Sequence, residues 1–71
     1  MITILLEGYR AETFDSAIFG RVPVAGDLIT YVAQEKASIE SPKEITVVVQ
    51  RVHYIVSRYS LITQISVIPK N

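Results

Sequence analysis

Apolar and polar residues alternate along most of this chain, with a period of two that belongs to strands rather than helices. Ile2, Ile4 and Leu6 hold one phase, and Thr3, Leu5 and Glu7 the other, which predicts a first strand over residues 2–9. Gly8 lets that strand bend, end or bulge. Residues 10–12 read as an exposed hairpin tip. A second strand follows over 13–19, where Phe14, Ser16 and Ile18 alternate with Asp15, Ala17 and Phe19. Residues 20–27 are punctuation. Pro23 pushes Val22 into extended geometry and has no N–H to donate. Gly26 supplies a positive φ, and the Asp27 carboxylate can close a local turn. A third strand is expected over 27–32.

Residues 33–43 are the only long stretch without strand character. One short helical turn fits within 33–38, too short to stand alone, and Ser41-Pro42 marks the exit. The longest strand pattern then runs over 44–57, well beyond the usual ~5–6 residues. Its alternation slips. Ile45, Val47 and Val49 set a phase that Arg51 and His53 then occupy, while Val52, Tyr54 and Val56 carry the apolar phase onward. A one-residue bulge near Gln50-Arg51 restores the register and bends the strand. Two shorter strands meeting at a corner are the alternative. A turn at 58–60 leads to a last strand over 61–68, with Leu61, Thr63, Ile65 and Val67 on one face. Five strands with short turns and one bent strand predict an all-β fold, a partly open barrel or strongly curled antiparallel sheet, in a single domain over 1–71.

Composition strengthens that reading. Ten Ile, nine Val and five Thr make 24 of 71 residues β-branched, and such side chains suit a pleated surface. So small a chain is marginal without a staple. Cysteine is absent and histidine occurs once, so disulfides, thiolate metal sites and a histidine cluster within one chain are ruled out. Oligomerisation is the staple left open. No apolar run approaches the ~18–20 residues of a membrane helix, and residues 1–6 lack the basic start of a signal peptide. The expected setting is the cytoplasm.

At Val22-Pro23-Val24-Ala25-Gly26-Asp27-Leu28-Ile29 the chain resembles small SH3-like β-barrel proteins of bacteria and phages, which carry a Val-Pro-x-x-Gly-Asp turn ahead of a strand. Val49-Gln50-Arg51-Val52-His53 stands where that family has a Val-x-x-Val-x-His-like strand, and Ile65-Ser66-Val67-Ile68-Pro69 where it has a short amphipathic one. The resemblance spans most of the chain and implies a five-stranded SH3-like barrel. In size and class the chain is also similar to small phage proteins that act as oligomeric sponges for the cyclic-nucleotide signals of antiviral defence. For a chain of that kind the setting is the host cytoplasm.

Charge is unevenly spread. Residues 1–45 hold all seven acids against four bases, and residues 46–71 hold Arg51, Arg58 and Lys70 with no acid. The halves can neutralise each other in the fold, or the C-terminal strands can present an anion-attracting face. Arg51, His53, Tyr54, Arg58 and Tyr59 form the densest basic-aromatic cluster. Arginine grips phosphate bidentately and tyrosine stacks on a base. The competing reading puts Tyr54 in the core, Tyr59 on a hairpin and the arginines in solvent. Tyr9 and Arg10 repeat the chemistry on a smaller scale. Tyr9, Arg10, Arg51, His53, Arg58 and Tyr59 are therefore the candidate ligand-binding residues. A pI of about 6.5 gives little counterion-release drive, which disfavours extended nucleic acid. His53 has no acid in its half of the chain to orient it as a base, and no glycine-rich phosphate loop is present. The expectation is a protein that is not an enzyme and uses no cofactor or metal.

Val47, Val48 and Val49 put apolar side chains on both faces of the 44–57 strand, and Ile62 and Ile68 do so in the last one. Two-sided apolar strands call for a second layer. A second copy supplies it, or the 33–43 loop folds over the face. The leading expectation is a homo-oligomer that binds a small anionic nucleotide. A structural or protein-interaction module, such as a small virion or regulatory component, is the alternative.

Overall fold

The structure, a computed structural model, describes residues 1–70. Its strands are β1 (Ile2–Leu5), β2 (Glu12–Phe14), β3 (Leu28–Ala33), β4 (Lys43–Val56) and β5 (Leu61–Pro69), with one 3₁₀ turn at Ser16–Phe19. They form a single sheet in the order β2-β1-β5-β4-β3, curled into a half-barrel. The all-β, barrel-like reading of the sequence therefore holds.

The concave face is the core. Ile2, Ile4, Val47, Val49 and Ile65 are fully buried there, joined by Leu6, Ala33 and Val67. Each fully buried aliphatic side chain of this kind contributes about 1.5–3 kcal/mol. These residues keep the period-two phases of the sequence, so one face of β1, of β4 as far as Val49 and of β5 from Thr63 to Val67 is buried. Curling brings the two ends of the sheet together. Tyr9 bridges Glu35, Arg10 N–H donates to the Gln34 carbonyl at 2.8 Å, and Lys36 N–H donates to the Gly8 carbonyl at 3.0 Å. Near the same seam Phe14 meets Tyr31 edge-on, with ring centroids 6.2 Å apart, and Phe19 meets Phe14 at 6.0 Å.

Four local expectations are corrected. The first strand stops at Leu5, because Tyr9 N–H folds back to the Leu6 carbonyl at 3.0 Å through Gly8 at φ +84°. The 13–19 segment keeps only its start as strand. Asp15 accepts from Ala17 N–H at 3.0 Å and caps the 3₁₀ turn, which Gly20 ends at φ +72°. This competition between an Asp side chain and the ladder is one that alternation alone does not register. Residues 33–38 form no helical turn; Glu35 is held in the bridge to Tyr9, leaving no room for one. Lastly, the sheet is mixed rather than wholly antiparallel, since β1 runs parallel to β5 while the other three pairings are antiparallel.

The register slip is a bulge. Val49 pairs with Val67 and Arg51 with Ser66, so Gln50 has no residue opposite. Beyond it β3 is lost first and β1 after Tyr54 and Thr63, so that β4 and β5 continue over residues 55–62 as a two-stranded arm. β3 pairs with β4 only as far as Leu28 with Val48, and β1 reaches β5 only from Thr63 onward. The arm accords with the elongated envelope of 39 × 24 × 19 Å.

Candidate functional site

The arm carries most of the unusual surface. On its concave side Tyr54, Val56 and Leu61 are 52%, 75% and 54% exposed. On its convex side Ile55 and Ile62 pair directly and are also exposed. Its turn is tied by the Ser57 and Ser60 hydroxyls, 2.7 Å apart, and by Ser57 N–H donating to the Ser60 carbonyl at 2.9 Å. Tyr59 projects from that turn almost fully exposed, with the Arg58 guanidinium carbon 6.0 Å from its ring centroid. Such a cation–π pair presents a flat face beside a fixed positive charge.

Arg51 and His53 lie on the convex face, in register with Ser66 and Gln64 of β5 and with Leu5 and Thr3 of β1. They form a polar band. One apolar row, Leu28–Val48–Ile68, crosses three strands on one side of it, and Ile55–Ile62 closes the other. Among the described residues, neither Arg51 nor His53 joins an ion pair, and Arg21–Asp27 and Lys43–Glu35 are the pairs formed. The six candidate residues thus fall in three places in one chain. Arg51 and His53 share a strand face, Arg58 and Tyr59 share the arm turn, and Tyr9 and Arg10 sit at the seam. Tyr9 is half-buried there, with its hydroxyl 3.5 Å from Glu35 Oε1. Tyr54, offered above as core, is half-exposed instead. The 33–43 loop does not cover the arm, because its first residues are held at the seam.

Sequence reasoning missed a groove of about 680 Å³ beside the bulge, lined by Leu5, Glu7, Tyr9, Lys36, Gln50 and Ile68 among others. It opens where β1 turns away at Leu6 and leaves the end of β5 without a neighbour on that side. No local pattern marks it, because it depends on where one strand abandons another. Apolar residues line most of it, with Glu7 and Lys36 as its charges.

Two titrating groups are perturbed. The Val24 N–H, donating at 2.9 Å, and then the Arg21 guanidinium at 3.1 Å hold the Asp27 carboxyl below its ordinary value. This is the turn closure expected from Gly26-Asp27, with Gly26 at φ +97°. Burial first, and then the nearby Glu12 and Tyr9, push the Tyr31 hydroxyl upward. That hydroxyl is buried without a hydrogen-bond partner. Among the described residues no cluster of His, Asp or Glu could hold a metal ion, and no helix is long and apolar enough to cross a membrane. No protein-family model, curated protein or solved structure matches the chain.

Proposed function

We propose that this chain is a non-catalytic, self-associating binding protein for a small anionic nucleotide. The observation that carries it is the arm. Residues 55–62 project beyond β1 and β3 and are apolar on both faces, and the whole 50–62 segment bears only cationic charge, from Arg51 and Arg58 beside His53. Apolar surface on both sides supports burial against another copy. The Arg58–Tyr59 pair and the Arg51–His53 band offer what a nucleotide needs, guanidinium for phosphate and a ring for a base. By analogy of size and class, this would be the activity of a phage sponge that sequesters a cyclic-nucleotide signal in the host cytoplasm. Calorimetric titration of the intact chain with a panel of cyclic mono- and dinucleotides tests it. Binding to at least one member, weakened at least tenfold by Arg51→Ala or Arg58→Ala, is the expected result. No heat across the panel at micromolar protein rejects it.

The Leu28–Val48–Ile68 row favours a second reading, a structural or protein-interaction module. On that reading Arg51→Ala and Arg58→Ala are silent, and Val48→Glu abolishes assembly.

A further inference from the structure

We infer that two copies of this chain join through the free edge of β4, antiparallel about a two-fold axis at His53. The inference rests on the self-association proposed above and names its geometry.

The edge is long, and its guards are confined to one end. On the β3 side, pairing ends where Gly26 N–H donates to the Val49 carbonyl and Val49 N–H donates to the Asp27 carbonyl, both at 2.8 Å. From Gln50 to Val56, seven residues of β4 have no strand beside them on the side away from β5 among the described residues, Gln50 as the bulge and the other six in register with β5. Native sheets guard such edges with charged side chains, lysine above all, or with proline, bulges or short strands. Residues 50–62 contain neither lysine nor proline, and the bulge at Gln50 and the charge of Arg51 stand only at the start of the free edge. Of the other edges, β2 is three residues long, and β3 presents six residues, Leu28–Ala33, to the outside before the chain just beyond it is bridged to Tyr9. The arm's β5 edge leaves only Leu61 and Ile62 unpaired. Of the two open edges on β3 and β4, that of β4 is the longer, and it borders the arm.

A second copy fits this edge because the edge is self-complementary. A two-fold axis perpendicular to a sheet pairs identical edges antiparallel and keeps every side chain on its own face. Two seven-residue edges overlap fully only when centred on the middle residue, His53. Gln50 then lies beside Val56 of the second copy, Arg51 beside Ile55, and Val52 beside Tyr54. Cross-strand pairs between β-branched and aromatic residues of the last kind are favourable. No two arginines are opposed. A centre at Val52 would set Arg51 beside His53 and shorten the overlap, because β3 blocks position 48. The convex faces become continuous, and two Arg51–His53 bands meet at the axis as one site that neither copy builds alone.

Single cysteines test this in a chain that has none. Opposed residues of an antiparallel pair have Cα atoms ~4.5–5.5 Å apart, within disulfide reach. His53→Cys, at an exposed position, should oxidise mostly to a linked dimer that reductant dissolves. Arg51→Cys and Ile55→Cys should each stay unlinked alone, their copies four residues or about 13 Å out of step. Mixed, they should link to each other. Absence of a 53–53 link, or linking of Arg51→Cys by itself, overturns the interface. If light scattering of the unaltered chain still reports a dimer in that case, self-association survives and only this geometry falls. A monomer at 100 µM, an arbitrary but demanding concentration, removes both.

Discussion

Arg51 stands opposite Ser66, although the pair before it on β4 and β5 is Val49 with Val67. The missing step is Gln50. Its bulge keeps Val52, opposite the buried Ile65, on the core side and turns Arg51 and His53 outward. Without it, strict alternation would drive a guanidinium into the core.

Deleting Gln50 should therefore be tolerated. The shortened strand alternates without a slip, with Val49, Arg51 and Val52 still opposite Val67, Ser66 and Ile65. Deleting Val52 leaves only Arg51 or His53 to face Ile65 and should prevent folding. Circular dichroism melts of the two deletions check this. Equal destabilisation by both would contradict the bulge as described.

Tyr31→Phe should raise stability by about 1 kcal/mol, since it removes a buried hydroxyl that has no partner among the described residues while keeping the ring packed on Phe14. The pH dependence follows from the same group. Its raised pKa means that its contribution is present below the tyrosine's unfolded value and is lost as pH rises through the folded one. The variant's advantage in urea denaturation should therefore widen in alkali. A variant less stable than the parent would place a hydrogen bond on that hydroxyl.

Asp27→Asn should flatten the acid side of the stability profile. The Asp27 pKa is lowered by the Val24 N–H and by Arg21, so its contribution is present above the unfolded value near 3.8 and is lost as pH falls through the folded one. Urea midpoints of parent and variant should converge in strong acid and separate toward neutrality.

Core and arm should respond oppositely to substitution. Ile65→Ala empties a fully buried position and should cost ~2–5 kcal/mol. Val56→Lys changes a residue that is 75% exposed and should shift the stability of a monomer by less than about 0.5 kcal/mol. Thermal melts read the first, and melts beside light scattering the second. A large loss of stability for Val56→Lys in a chain shown to be monomeric would mean that the arm packs on its own barrel.

Much of this fold is written in local periodicity. The phases of Ile2–Leu6, Ile45–Val49 and Thr63–Val67 name the core face directly, because a strand's two sides are set by adjacent residues. The slip at Gln50 is visible for the same reason, as is the Gly26-Asp27 closure. The two-sided apolar character of the last strands is likewise plain in the sequence. Periodicity carries no information on which strand lies beside which. The parallel pairing of β1 with β5, the point at which β3 leaves β4, and the seam between Tyr9 and Glu35 depend on contacts between distant segments. Those contacts decide that the apolar surplus is an open-edged arm rather than a covered second layer. They also divide six candidate residues, close in chemistry along the chain, among three separate places in space.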